Sequence, residues 1–415
     1  VRAHLIPACA SILLFILFAV PLAGNGQGNP SRVVRSIDSP APAGSAEPNL
    51  STGNDGTTYL TWIEKKGEIG HALKFAVRKE DVWSQPQTIA EGENFFVNWA
   101  DFPSMIALPD GALVAHWLVK SGPGSYAYDV NLARSTDGGK SWSKPMSPHN
   151  DGTKTEHGFV SMFPSSKGRV GLVWLDGRNF RGASKEGHGS SKDEMTLRYA
   201  AIDASGKLSD EVVLDSRVCE CCQTSAAITS DGAIVVYRDR SFNETRDISV
   251  VRLTQGRWTE PTTLNADGWE INGCPVNGPS VSADGKRVAV AWFTAAKDSP
   301  RVKVVFSLDA GVTFGQPIQV DAGSPVGRVD VLMLTDGSAL VSWLERTAKG
   351  GEVKVRRVKP DGSSDEAFTV AESSAARASG FPQMSRSSDG IIFAWTAPGA
   401  TSRVRAALVK IGTGQ

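Results

Sequence analysis

The stretch Phe102-Pro103-Ser104-Met105-Ile106-Ala107-Leu108-Pro109-Asp110-Gly111-Ala112-Leu113-Val114-Ala115-His116-Trp117 decides the fold, because the chain repeats its plan seven times. A small or proline-containing apolar stretch leads to a turn, usually Asp-Gly, and then to a short apolar run ending on an aromatic. The other copies run from Pro48 through Asp55-Gly56 to Trp62, from Phe159 through Lys167-Gly168 to Trp174, and from Thr224 through Asp231-Gly232 to Tyr237. Three more run from Gly278 through Asp284-Gly285 to Trp292, from Arg328 through Asp336-Gly337 to Trp343, and from Phe381 through Asp389-Gly390 to Trp395. The aromatic anchors are 55, 57, 63, 55, 51 and 52 residues apart. Short alternating strands and hairpin turns at that period predict an all-β fold, a β-propeller whose blades repeat around an axis.

Each repeat continues past its aromatic into third and fourth strands, as in Val130 to Arg134 followed by Pro145-Met146. The seventh has only three: Met384 to Ser387, Ile391 to Trp395 and Arg403 to Val409. The segment Arg32 to Ile37 precedes blade one and belongs to no other, so it is expected to complete blade seven and remove the free sheet edges. The expectation is seven four-stranded blades with an N-terminal closing strand, six being the alternative if one weak repeat is a decorated loop. Glycine at the first-to-second-strand turns supplies the positive φ of a tight hairpin.

The 415 residues carry 44 Lys plus Arg against 44 Asp plus Glu, with no basic stripe, which argues against a nucleic-acid partner. A polar start, an apolar run from Ile12 to Val20 and the small-residue stretch after Pro21 have the layout of a secretory signal, residues 1–28, ahead of a single propeller domain, 29–415. Val1 suggests an alternative start codon and a bacterial gene. The expectation is a monomer exported to the periplasm or beyond, without a stable membrane anchor and without a cofactor.

Between third and fourth strands, Ser135-Thr136-Asp137-Gly138-Gly139-Lys140-Ser141-Trp142 and Ser307-Leu308-Asp309-Ala310-Gly311-Val312-Thr313-Phe314 share the pattern Ser-x-Asp-x-Gly-x-x-aromatic, each with a trailing proline, Pro145 or Pro317. Decayed copies end at Trp83 and Trp258. These segments resemble the Asp-box (BNR) repeat of the sialidase-like propellers. In that family the motif stabilises a hairpin, its Asp and Ser side chains satisfying backbone donors. The resemblance implies three arginines around a substrate carboxylate, an acidic residue as acid/base, and a tyrosine nucleophile activated by a glutamate. The places comparable to the family's first arginine read Phe102-Pro103-Ser104 and Phe381-Pro382-Gln383, without arginine.

Loops entering first strands and leaving second strands share one face of a propeller, and ionisable residues concentrate there. The expected acid/base residues are Asp101, Glu156, Asp176, Asp239, Asp330 and Glu345. Trp99, His157, Arg178, Arg238, Arg240 and Arg328 are the expected ligand-holding residues, and Tyr126, Tyr128 and Tyr237 weaker candidates for a nucleophile. The competing reading has Arg-Asp pairs tying loops together. The ligand would be a glycan or another polar molecule, hydrolysed or merely bound. The insertion Gly182 to Lys192, with His188, is expected to be a flap on the same face.

Cys219, Cys221, Cys222 and Cys274 make an even set once Cys9 leaves with the leader, which favours disulfides in an exported chain, with Cys222 to Cys274 across adjacent blades one pairing among three connectivities. The alternative is a copper or zinc site on these thiolates with His157.

Overall fold

The computed structural model describes residues 1–2, 32–180, 194–209 and 211–411. The leader and the insertion carrying His188 lie outside the described residues. Seven antiparallel sheets follow one another along the chain, one per repeat. Blade three is a full example: His157–Pro164, Val170–Asp176, Met195–Ile202 and Val212–Val218, paired in sequence order. Blade two departs from four regular strands: Ser104–Ala107, Leu113–Lys120 and Tyr128–Ser135 are joined on the outside only by a bridge between Leu132 and Met146.

Blade seven closes as expected. Val33–Ile37 pairs antiparallel with Arg403–Lys410, outside Gly390–Ala397 and Gln383–Ser387, with Val33 opposite Lys410 and Ile37 opposite Ala406. Both ends of the propeller therefore share one sheet.

The core is seven apolar clusters, each at the joint between two adjacent blades. Every aromatic anchor is buried in the joint with the preceding blade: Trp117 against blade one, Trp174 against blade two, Tyr237 against blade three, and so on to Trp62 against blade seven. The reason is geometric: alternate side chains of a strand stand on opposite faces, so one face of each blade always has a neighbour to bury against.

Both full Asp-box turns have the same hydrogen bonds. The Ser135 hydroxyl accepts from the Gly139 N–H and donates to Asp137, which in turn accepts from the Ser141 N–H and hydroxyl; Ser307, Gly311, Asp309 and Thr313 repeat the set. Trp142 packs edge-on to Phe75 of blade one with ring centroids 6.0 Å apart. At Gly139, with φ of 88°, a Cβ would sit 2.2 Å from the same Phe75 ring, so glycine is required both by conformation and by the packing of the joint. Trp83 and Trp258 occupy the equivalent joints of blades one and four.

First strands line an axial channel of about 250 Å³. Its matching positions are polar, among them Asn49, Ser104, Ser161, Ser225, Ser280, Asp330 and Gln383. Several bond across the blade joints, Asn49 to Gln383 and Ser280 to Asp330 among them.

Candidate functional site

Where the chain enters the first strands, three residues at one repeat position adopt positive φ: Glu47 at 55°, Phe159 at 51° and Arg328 at 53°. Each sits at a break in the register with the second strand, a bulge that re-aims side chains at a sheet end. Beside the Phe159 bulge lies a cavity of about 320 Å³ whose wall includes Trp99, Tyr128, Glu156, Glu220, Cys221 and Cys274 from blades two to five, together with Arg377 from the loop before blade seven.

Tyr128 joins two carboxyls. Its hydroxyl lies 2.8 Å from Asp101 Oδ2 and 2.9 Å from Glu156 Oε1. A hydroxyl has one hydrogen and cannot donate to both, so with the phenol intact the second contact requires a proton on one carboxyl. Burial of Asp101 pushes its pKa up to about 7 against the hydrogen bonds from Tyr128 and from the Phe159 N–H. Burial raises Glu156 to about 8, opposed by the Tyr128 bond and reinforced by the fields of Asp101, Glu220 and Cys219. Tyr128 itself is pushed well above the usual phenol range, first by burial and then by the two carboxyls, so it is a phenol rather than a phenolate. Glu47 adds a further buried carboxyl, raised by burial and by Asp101.

Glu220 is ion-paired with Arg246 at 2.7 Å. Two carboxyls of unlike environment thus share the cavity wall: Glu156, whose pKa is raised, and Glu220, which faces a guanidinium.

Several expected residues are engaged elsewhere. Asp176 accepts from the Trp174 indole N–H at 2.8 Å and from Arg178, and Glu345 accepts from the Trp343 indole at 2.6 Å and from the Ser324 N–H. Both belong to a Trp-x-acid pattern that also pairs Trp62 with Glu64; residues two apart on a strand share a face, so the acid satisfies the buried indole. The recurrence is visible in the sequence and marks these acids as structural. Asp330 accepts from Ser280 and the Met384 N–H in the channel. Burial, then Asp215, raises Asp239 to about 6, but it caps the Arg240 N–H away from the cavity wall.

The arginines do not converge on a ligand carboxylate. Arg328 donates to the Ala376 and Gly380 carbonyls and the Ser379 hydroxyl, under the Trp99 ring at 4.8 Å. Arg238 donates to the carbonyls of Asn277, Arg246 and Phe293. Arg178 binds Asp176 and Glu211, and Arg240 binds Glu244. Among the described residues Arg377 is the one cation on the cavity wall. Tyr237 donates to Asp215 within the core, while Tyr126 is exposed at the rim.

His157 is fully buried, stacked on His149 with ring centroids 3.9 Å apart. Its Nδ1 lies 3.4 Å from Asp129 and its Nε2 3.2 Å from Asp151. Burial opposes its charge, but the Asp129 bond and the fields of Asp176 and Asp151 raise its pKa on balance. Burial, then His157, lowers His149 to about 4. The pair is a buried ionic tie beneath the mouth. His149, Asp151, Glu220 and Arg377 carry no sequence signal beyond residue type, since loops of irregular length bring them in, while Asp129 comes from the third strand of blade two.

The four cysteines carry no disulfide in this structure, so the expected pairings are not shown. Cys219 and Cys222 Sγ atoms are 2.9 Å apart and Cys219 and Cys221 3.9 Å apart, because one loop folds three sulfurs together instead of aligning Cys222 alone with Cys274. His157 faces carboxylates in this structure, so it leaves the expected thiolate ligand set.

No known family model matches the chain, and no curated protein matches it. Solved structures do. A protein of unknown function from Dyadobacter fermentans DSM 18053 aligns over 92% of this chain and 98% of its own, at 17% identity and a TM-score of 0.50. Polysaccharide lyase Uly1 aligns over 90% and 91%, at 10% identity and 0.51. The NanB sialidase from Streptococcus pneumoniae aligns over 92% and 95%, at 9% identity and 0.47. At such identities the likeness is one of fold alone. Among the described residues no helix is long and apolar enough to cross a membrane.

Proposed function

We propose that this chain is an exported, sialidase-like propeller that takes a neutral sugar in the cavity over blades two to five and acts on it by acid–base chemistry. The observation that carries the reading is the Tyr128 hydroxyl held between Asp101 and Glu156. Glu156, protonated near neutrality, is the general acid; Tyr128 and Asp101 hold and return its proton. Glu220 is the second carboxylate, placed to serve the opposite partial reaction on a bound glycoside. A neutral substrate suits the wall better than an anionic one, since Glu156 and Glu220 face the cavity against the single cation Arg377 among the described residues, and the four expected arginines are engaged with backbone or carboxylates. The Asp-box turns and the lyase and sialidase among the fold neighbours are in keeping with a carbohydrate ligand.

One observation favours a binding protein without turnover: Asp101 Oδ1 accepts from the Phe159 N–H and so also ties the mouths of blades two and three. A panel of neutral and sialylated glycans incubated with the purified chain separates the two. The acid–base reading expects a neutral sugar product by mass spectrometry, with turnover lower by about 10²-fold in Glu156→Gln. Binding by calorimetry without product supports the second reading, and release of sialic acid alone contradicts the neutral-ligand assignment.

A further inference from the structure

Two loops at the mouth, the one before blade four and the one before blade five, carry sulfur to one place. Cys219, Cys221 and Cys222 hold their Sγ atoms within 4.8 Å of one another. Cys221 also touches Cys274 from the next blade. Cys219 and Cys222 are buried, while Cys221 and Cys274 are half-buried on the cavity wall. The arrangement is a cluster about Cys221, which contacts all three other sulfurs, rather than two separate pairs.

Burial raises Cys219 to about 11 and Cys221 well above the usual thiol range, while donors reach Cys219 and Cys222. Arg246 Nη1 donates to Cys219 Sγ at 3.3 Å, the Asn277 N–H donates to Cys222, and the Arg238 charge lies close to Cys222. Cationic and N–H donors beside sulfur favour the ionised, metal-binding form, and such outer contacts orient ligands. The nearest hard donor, Glu220, is turned toward Arg246. What remains is an all-sulfur donor set, which selects soft ions.

We propose that Cys219, Cys221 and Cys222, with Cys274 against Cys221, form a binding site for one thiophilic d10 cation, Cu(I), held by two or three of these sulfurs at the wall of the mouth cavity. Copper(I) fits better than zinc: neighbouring residues Cys221 and Cys222 and the close Cys219 to Cys222 contact crowd a tetrahedron of four separate sulfurs, whereas low-coordinate copper requires only two or three. The 3.9 Å Cys219 to Cys221 separation suits two ligands of one ion, and the Cys219 to Cys222 pair opens by about 1 Å to match at metal–sulfur lengths of about 2.3 Å. Each ligating thiol gives up its proton on binding, and the two guanidiniums offset the accumulated negative charge. The site does not depend on the sugar reading, because its ligands are separate from Tyr128, Asp101 and Glu156.

The test is anaerobic titration of the reduced full chain with Cu(I) in the presence of bicinchoninate as competitor, followed by X-ray absorption. The expected result is one copper per chain with a sulfur-only shell. Cys274→Ser and Cys221→Ser should each weaken binding at least about 10-fold, and circular dichroism reports that both remain folded. In parallel, chain purified without reductant is alkylated and mapped by mass spectrometry, with and without added Cu(I). Four alkylated thiols that copper protects support the site. Bridges from Cys219 to Cys222 and Cys221 to Cys274 that persist in the presence of Cu(I), loss of all copper to the competitor, or a stoichiometry other than one overturns it.

Discussion

Over blades six and seven, the Arg328 guanidinium meets two carbonyls and a hydroxyl beneath Trp99, and Glu345 meets an indole and an amide. Over blades two to four, Tyr128, Glu156, Glu220 and Cys221 border open volume, and one hydroxyl contends with two carboxyls. The same mouth thus carries charged side chains with opposite fates. Groups whose hydrogen-bonding capacity is met by the protein hold loops in place, whereas groups left with unmet capacity or contested protons are available to a ligand.

Three measurements press on this contrast. The largest effect is expected from Arg328→Ala, which leaves buried carbonyls unpartnered: urea unfolding should show a loss of about 3 kcal/mol with unchanged m. An unchanged midpoint would return Arg328 to the ligand-holding residues.

Next comes the pH dependence of the contested pair. Asp101 is raised to about 7 when folded, so between the ordinary carboxyl range and pH 7 the unfolded chain has released a proton that the folded chain retains. Stability from this group is therefore present at low pH and declines as pH rises, by at most about 1.4 kcal/mol per pH unit per retained proton. Asp101→Asn, compared with wild type by denaturation at pH 5 and pH 7, should flatten that decline. Equal slopes in both proteins would mean that Asp101 is ionised throughout and the triad is an ordinary hydrogen-bond tie.

The smallest effect belongs to the opposite face. Ser135→Ala removes the hydroxyl that accepts from Gly139 and should cost about 1 kcal/mol in unfolding, leaving ligand binding at the mouth unchanged. A change in affinity would show that the two faces communicate through the blade.

The repeat was legible because strand alternation, Asp-Gly turns and the terminal aromatic all state one physical requirement, a face buried against the next blade. The closing strand was legible by counting. Of the residues expected at the mouth, Glu156 and Tyr128 line the cavity, and Asp101 reaches it through its bond to Tyr128. Asp176, Glu345, Arg238 and Arg328 are engaged by indole and backbone groups, partners that side-chain charge alone does not announce. The Trp-x-acid recurrence is the sequence signal for two of these contacts. Glu220 gains its place only when Arg246 and the cavity are seen together.

The strand Val33–Ile37 is short and mostly exposed, yet it binds Arg403–Lys410 near the far end of the chain. Made first, it can find its partner only after every blade has been synthesised, and closing so long a loop is slow relative to pairing within a blade. The ring therefore has a natural order of events: six blades can assemble as they emerge, while the seventh waits, and the unpaired edge of Arg403–Lys410 is the surface most open to mispairing until that final latch engages.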